Sequence, residues 1–270
     1  MVEIFKDMAW YEIMALIGAG LIVGFINTLA GGGSIISLSL LMFMGLPANV
    51  ANGTNRIAIT LQTLTATRNF KKAGLISSRK GILLGIPAVI GAVAGSFIAS
   101  EINEAAFEKA MIIIMFFMLI FIFYKPSVWL KGKQELQQKK SSWLQYFLFF
   151  LIGIYGGFIH AGIGYLLLIS LVLGAGFDLL HANALKVLIV LMYVPFSLAV
   201  FIYKGQINYL YGFVLAIGNI AGAVIASRFA IDKGANFVRW VIFVVVIFTA
   251  LHVFGIIDFH SIYGNIIHNK

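Results

Sequence analysis

The sequence NTLAGGGS occupies residues 27–34 and interrupts an otherwise apolar part of the chain. Three consecutive glycines, Gly31 to Gly33, weaken a helix more than any other residue type except proline. The stretch therefore predicts a helix that ends near residue 30 and a second helix that begins at Ser34. An apolar run follows, and then the polar sequence ANGTNR at residues 51–56.

Composition determines the protein class. Hydrophobic residues make up 61% of the 270 residues and charged residues 11%, against roughly 45–50% and about 25% in soluble domains. The mean hydropathy is +1.00. These values predict an all-α integral membrane protein embedded in a lipid bilayer. The net charge of +9 does not indicate a nucleic-acid partner, because the basic residues lie in short patches between apolar spans.

The order of apolar segments predicts the domain organisation. Ten segments follow one another, at residues 8–30, 34–46, 48–70, 81–100, 105–124, 143–161, 165–177, 179–203, 208–230 and 235–257. A membrane helix needs about 20 residues, so the segments at 34–46 and 165–177 are expected to be short or re-entrant helices. We expect a first membrane repeat at 1–124, a basic cytoplasmic linker at 125–142, a second repeat at 143–258 and a tail at 259–270, which together form one transport domain.

The two halves of the chain match each other. At an offset of 131 residues, residues 30–96 align without a gap to residues 161–227, with identities such as Ala51-Asn52 on Ala182-Asn183. Each half holds about five segments, an odd number, which predicts two inverted-topology repeats. Charge supports this prediction: the loop at 68–80 carries five basic residues, whereas its counterpart has only Lys204. The basic loop and linker are therefore predicted to be cytoplasmic, and both termini extracytoplasmic.

Inverted repeats with interrupted helices are typical of secondary transporters, in which the breaks meet near the bilayer midplane. The breaks here are residues 30–34 and 161–165. A helix that begins at Ser34 would direct free N–H groups into the membrane, where they favour an anion. The alternative is that the glycines only let helices pack closely, and this is the interpretation we favour for Gly91, Gly95 and Gly222.

Charged residues predict the sign of the substrate. All ten acidic residues lie at segment ends or in loops, which argues against carboxylate-bound cations. Arg56 and Lys186 lie inside apolar segments, where each costs about 2.5–3.5 kcal/mol unless it is paired or hydrated. We expect the two cations to bind a small anion; the alternative is that one or both snorkel to the interface.

The predicted substrate-binding site combines both breaks, the two cations and neighbouring polar residues. Its members are Asn27, Gly31, Gly32, Gly33, Ser34, Asn52, Thr54, Asn55, Arg56, Gly162, Gly164, Tyr165, Asn183 and Lys186. His160 and His181 are candidates to carry a coupling proton, because imidazole titrates near neutral pH; the alternative is that each is only hydrogen-bonded within the bundle. The chain has no cysteine and no metal-ligand spacing, so no metal or other cofactor is expected.

These motifs resemble a known family. NTLAGGGS at 27–34 with ANGT at 51–54, and GGFIHAGIG at 156–164 with Ala182-Asn183, are similar to the sulfite exporter TauE/SafE family, also called the toluene sulfonate uptake permeases. The second motif departs from the family at Ile163 and Tyr165, where glycine is more usual. The resemblance implies a transporter of sulfur-containing anions such as sulfite, sulfoacetate or other organosulfonates, in the cytoplasmic membrane of a prokaryote.

Other functions use the same features. An anion channel would need the same cationic site, and so would a transporter of an organic anion without sulfur. An intramembrane enzyme would need a nucleophile with a base or a metal cluster, and no such spacing is present. The sequence contains no GxxxxGK[ST] loop, so it does not indicate direct coupling to ATP. The sequence predicts no particular oligomeric state.

Overall fold

A computed structural model describes residues 8–76, 79–102, 106 and 134–253 of the chain. The described residues form helices separated by short turns, as the composition predicts. Most of the fifth predicted segment (105–124), residues 125–133 of the linker and the tail at 259–270 lie outside the described residues. In the second half of the linker, residues Gln134–Gln138 form a short helix that the hydrophilic composition did not predict.

The helices follow the predicted segments closely. In chain order they are α1 (Trp10–Leu29), α2 (Ser34–Phe43), α3 (Ala48–Lys72), α4 (Arg79–Glu101), α5 (Gln134–Gln138), α6 (Trp143–Phe158), α7 (Ile163–Ile169), which continues as a π-helical turn over Ser170–Gly174, α8 (Leu179–Tyr203) and α9 (Tyr209–Val253). The break before Ser34 is confirmed. The second short helix begins at Ile163, two residues before the predicted start, because Gly162 with φ +70° is the last residue outside it.

The last two predicted segments, 208–230 and 235–257, are two helices that meet at Gly234. The label α9 covers both of them, and Gly234, with φ +71° and ψ −165°, leaves the helical conformation between them. Glycine adopts this backbone geometry without the steric cost that a Cβ would bring.

Four of the described helices are long and apolar enough to cross a membrane: Trp10–Leu29, Arg79–Glu101, Leu179–Tyr203 and residues Tyr209–Val245 of α9. Helix α3 has the same 25-residue length as α8 but is much more polar, and it is not among the four. Half of its polar residues are nevertheless buried inside the bundle. Helix α3 is therefore a polar helix enclosed by apolar ones.

Glycines let two pairs of helices pack backbone to backbone. Helix α1 packs along α9, and α4 packs along α6. A Cβ on Gly91 or Gly95 would collide with the backbone of α6, and one on Gly222 with the backbone of α1. The interpretation of these glycines as packing residues is confirmed. Close approach through small residues is the usual way in which helices associate in a bilayer.

Helices α3 and α8 lie at the centre of this arrangement and run in opposite directions. The second turn of α3 contacts the loop after α8, where the Asn208 N–H donates to Thr54 Oγ1 at 2.9 Å. That loop also contacts the end of α4, since Lys204 forms an ion pair with Glu101 at 2.9 Å. At the opposite end, the Lys80 ammonium lies 3.4 Å from the Ala175 carbonyl, just before α8 begins.

Candidate functional site

The two glycine breaks meet, as the sequence predicts. The backbones of Gly31 and Gly164 are in direct contact, and a Cβ built on Gly164 would lie 2.6 Å from the Ala30 carbonyl oxygen. The Tyr165 ring lies against Gly32, where a Cβ would approach its Oη to 3.0 Å. Gly31 has φ +98°, a conformation that favours glycine. Residues from both halves therefore form one junction.

A hydrogen-bonded chain of polar side chains starts at this junction. Asn27 Nδ2 donates to Ser34 Oγ at 3.0 Å. Ser37 Oγ, one turn further along α2, donates to Asn55 Oδ1 at 2.9 Å. All four residues are buried. Gly33 lies between them, and a Cβ there would reach 3.2 Å from Asn27 Oδ1. The ends of α1, α2 and α3 thus share one polar cluster.

Lys186 binds the end of α1. Its ammonium donates to the carbonyl oxygens of Asn27 and Thr28, each at 3.1 Å, and the residue is only 1% exposed. These are among the carbonyls at a helix C-terminus that have no partner within the helix. A cation there also interacts favourably with the negative end of the helix dipole. Lys186 lies in the buried centre of the bundle and does not snorkel.

Arg56 makes the corresponding contact with α6. Its guanidinium donates to the carbonyl oxygens of Gly156 at 2.6 Å and Gly157 at 2.9 Å, and to Asn52 Oδ1 at 3.3 Å. The Phe201 ring lies 5.7 Å from its Cζ. Arg56 is fully buried, so this cation does not snorkel either. Each cation therefore caps a broken helix of the other half of the chain.

His160 lies in the second break beside these groups. The His160 Nδ1 is 2.9 Å from Tyr193 Oη, and both residues are buried. The charges of Arg56 and Lys186 both act on the imidazole, so the two cations and the histidine belong to one polar region. Tyr155 Oη donates to the Ala161 carbonyl in the same break.

Several buried polar atoms of the predicted site have no hydrogen-bond partner. Among the described residues, the unpartnered donors there are Asn55 Nδ2, Arg56 Nε, Asn183 Nδ2 and Tyr165 Oη. Asn27 Oδ1 and Asn183 Oδ1 are also unpartnered. More than 90% of buried polar groups usually have a partner. The unpartnered donors are therefore available to a ligand.

The side chains of two further members of the predicted site are hydrogen-bonded to other parts of the protein. Asn52 Nδ2 donates to the Phe158 carbonyl at 2.8 Å, and Thr54 Oγ1 accepts from Asn208. Asn183 is the counterpart of Asn52 at the 131-residue offset, yet neither atom of its amide is paired. Asn183 precedes Lys186 by three residues on the same face of α8. The Asn183 amide is therefore free to bind a ligand, whereas the Asn52 amide is already hydrogen-bonded.

His181 occupies a different environment, at the start of α8. Its Nδ1 lies 2.6 Å from Asp178 Oδ2, and its side chain is 43% exposed. Asp178 is the N-cap residue of α8 and accepts from the Leu180 and His181 N–H groups. Burial alone would raise the pKa of Asp178, but the hydrogen bond with the His181 ring and those from the two N–H groups hold this pKa below its ordinary value. The role of His181 in proton coupling stays a prediction.

Sequence reasoning missed the partners of the two cations and of His160. Backbone carbonyls at a helix end carry no side-chain signature, so Gly156 and Gly157 gave no signal of this role. Ser37 was also missed, although its place one turn after Ser34 on a short helix was visible. Among the described residues, no group of histidines and acids could hold a metal.

A family model described as sulfite exporter TauE/SafE matches residues 16–253. The chain belongs to this family. Three relatives share similar overall lengths with it. A probable membrane transporter protein ORF9 from Sinorhizobium is 24% identical over 247 residues, which is 91% of this chain and 94% of the relative. A probable membrane transporter protein from Haemophilus influenzae is 28% identical, covering 82% of this chain and 86% of the relative.

The third relative, the probable membrane transporter protein YfcA of Escherichia coli K12, is 25% identical over 83% of each chain. No solved structure matches the chain. Family membership makes this chain a multi-pass membrane transporter, not an enzyme. The resemblance found in the glycine motifs is confirmed.

Proposed function

We propose that the chain is a secondary transporter of small sulfur-containing anions, such as sulfite, sulfoacetate or other organosulfonates, by alternating access about the junction of the two breaks. The observation that carries this proposal is the set of unpartnered buried donors on Asn55, Arg56, Tyr165 and Asn183. Sulfonate oxygens only accept hydrogen bonds. Buried donors of this kind therefore suit a sulfonate better than a cation.

The two buried cations give the junction its charge. Each helix C-terminus carries roughly half a negative charge, so capping by Arg56 and Lys186 leaves a net positive charge in the region. Lys186 uses two of its three donors, and Arg56 retains its free Nε. Both can therefore reach an anion without releasing the helix that they cap. No described acidic residue is buried there to compete.

Inverted-topology repeats are part of the proposal. The antiparallel course of α3 and α8, the pairing of α1 with α9 and of α6 with α4, and the capping of each broken helix by the other half all support it. In this arrangement the short helices α2 and α7 are re-entrant and enter from opposite faces. Short helices of this kind bring the site to mid-membrane depth, as alternating access requires.

The orientation follows from charge. Arg68, Lys71, Lys72 and Arg79 are exposed at one end of the bundle, and the positive-inside rule assigns that end to the cytoplasm. The resulting topology has both termini outside the cytoplasmic membrane of a prokaryotic cell. Reporter fusions at residues 74 and 205, which lie on opposite ends, test this orientation.

His160 is the residue that we assign to a coupling proton. It is buried beside both cations, so protonation would change the charge that a bound anion experiences. An anion binding beside it would in turn favour its protonated form. This reciprocity couples proton and substrate.

Purified protein in proteoliposomes tests the function. Binding of sulfite, thiosulfate, sulfoacetate, taurine and carboxylates is measured first, followed by uptake and substrate-driven proton flux. Saturable sulfonate uptake with a fixed proton stoichiometry supports the transporter. Uptake without coupling identifies an anion channel, and preference for a carboxylate identifies a transporter of organic anions without sulfur. Either of these results overturns the corresponding part of the proposal.

A further inference from the structure

A row of buried polar side chains lies along the interface between α3 and α9, outside the site described above. Asn219 Nδ2 donates to Gln62 Oε1 at 3.0 Å. Asn69 Nδ2 donates to Ser227 Oγ at 2.8 Å. We call these four residues the polar row. Gln62, Asn219 and Ser227 are buried, and Asn69 is half-buried.

The polar row connects the junction with the basic end of the bundle. Asn55, Gln62 and Asn69 are spaced seven residues apart on α3, so they share one face of the helix. Asn55 carries one of the free donors of the junction. At the other end, Asn69 and Ser227 directly adjoin the exposed Arg68 and Arg228. Polar side chains at intervals of two helical turns therefore lead along α3 from the site to a cationic surface.

Helix packing alone does not require this polarity. The 131-residue offset relates the α3–α9 interface to the α8–α4 interface, which also forms a packed helix pair. Ser227 has a polar counterpart, Ser96. The counterparts of the other three positions are Tyr193, Val200 and Ala88. The α8–α4 interface has one buried polar pair of its own, Ser96 with Ser197, whose Oγ atoms are 2.6 Å apart. The amide pair of Gln62 and Asn219 has no such equivalent, because their counterparts are Tyr193 and Ala88.

The pairing within the row is also incomplete. Asn219 is 0% exposed, and its Oδ1 has no hydrogen-bond partner. An unpaired polar atom inside a membrane protein is costly, and polar residues at such depth commonly mark substrate pathways. A row that served only to join two helices would gain from pairing every atom.

We propose that the polar row is the hydrated route by which the anion passes between the junction and the basic end of the bundle. This inference rests on the proposed function. Amide and hydroxyl groups offer hydrogen bonds to a passing anion but no fixed charge to trap it. The exposed basic residues at the mouth raise the local concentration of anions. The route would open by separation of α9 from α3.

The absence of cysteine from the natural chain allows a direct test with single-cysteine variants. Gln62→Cys and Asn219→Cys lie in the row. Val200→Cys on α8 is the control, because Val200 lies outside the row and is 7% exposed, compared with 1% for Gln62 and 0% for Asn219. The probes are the anionic reagent 2-sulfonatoethyl methanethiosulfonate and its cationic trimethylammonium analogue, applied to protein in proteoliposomes permeabilised to both reagents.

Static burial predicts that Val200→Cys reacts faster, whereas a hydrated route predicts the reverse. Thiols in apolar surroundings react poorly because the thiolate is disfavoured. We expect the anionic reagent to label both row variants at least roughly tenfold faster than the control. A tenfold ratio corresponds to a modest difference between the sites in the free energy of the local opening that exposes the thiol. The cationic analogue should label the row more slowly than the anionic reagent, and sulfoacetate should protect Gln62→Cys.

Labelling of the row no faster than of Val200→Cys, or without preference for the anionic reagent, overturns the route even if sulfonate transport is demonstrated. Rapid anion-selective labelling without protection by sulfoacetate also overturns it, since the path would then not carry the substrate. Failure of the proposed function is a separate result, because wild-type protein would then show no saturable sulfonate uptake at all.

Discussion

Gly31 and Gly164 contact each other backbone to backbone, although 133 positions separate them in the chain. Each belongs to a glycine break, and each would need to move the other to accept a side chain. The contact joins the two halves of the chain at the centre of the bundle. It also places the free N-terminal ends of α2 and α7 in one small region.

Substitution of Gly164 by alanine tests the importance of this contact. A Cβ on Gly164 would lie 2.6 Å from the Ala30 carbonyl oxygen, whereas nothing lies within 4 Å of a Cβ on Gly174. Overpacking a core costs about 1–3 kcal/mol. We expect Gly164→Ala to lower the thermal unfolding temperature in detergent and to abolish uptake, and Gly174→Ala to change neither greatly. Equal effects of the two variants would contradict the close junction.

The sequence predicted most of the helix boundaries and the position of both breaks. Consecutive glycines in an apolar chain have a strong local effect, so the end of α1 and the start of α2 followed directly. The apolar segments at 48–70 and 179–203 predicted the bounds of α3 and α8 to within two residues. The gap between the segments at 208–230 and 235–257 likewise predicted the break at Gly234, which is the last residue of that gap.

The polar junction was only partly predictable. Asn27, Ser34, Asn55 and Tyr165 were selected because polar residues beside a break in a membrane helix are unusual. The partners of Arg56 and Lys186 were not predicted, because the sequence suggested only that these cations bind an anion or reach the membrane interface. In the structure, each cation instead donates to backbone carbonyls at the end of a helix from the other half, and no side-chain pattern identifies such carbonyls.

Substitution of Asn183 should weaken substrate binding without lowering the stability of the protein. Both polar atoms of its amide are buried and unpaired, and replacement of an unpaired polar group by an apolar one of similar shape is nearly neutral or stabilising. We expect Asn183→Leu to maintain or raise the unfolding temperature while it weakens sulfoacetate binding, measured by calorimetry.

The matched control is Asn52→Leu at the equivalent position. This variant loses the hydrogen bonds to Phe158 and Arg56, so we expect it to lower the unfolding temperature. If Asn183→Leu destabilised the protein as much as Asn52→Leu did, its amide would have a structural partner and the assignment to substrate binding would fail.

Lys186 should contribute to both stability and affinity. Hydrogen bonds to charged groups contribute about 1.5–3 kcal/mol, and Lys186→Met removes two of them from the end of α1. The variant also removes a buried positive charge near the proposed anion. We expect a lower unfolding temperature and a loss of sulfoacetate affinity of roughly tenfold or more, equivalent to about 1.4 kcal/mol.

Lys204→Met provides the comparison for Lys186→Met. Lys204 pairs with Glu101 near the surface, and exposed ion pairs contribute only about 0–1 kcal/mol. We expect this variant to bind sulfoacetate as the wild type does. Undiminished affinity in Lys186→Met would show that Lys186 only caps α1 and that the positive charge of the junction does not hold the anion.

The two histidines should differ in their effect on proton coupling. His160 is buried against Tyr193 and beside both cations, whereas His181 pairs with Asp178 at a partly exposed helix start. Glutamine retains hydrogen-bonding capacity but cannot take up a proton at physiological pH. We expect His160→Gln to continue substrate exchange across equal concentrations but to lose accumulation driven by a pH gradient. His181→Gln should retain both activities. The measurement is sulfoacetate uptake in proteoliposomes with a pH-sensitive dye inside, and gradient-driven accumulation at the wild-type level in His160→Gln would exclude this imidazole as the coupling group.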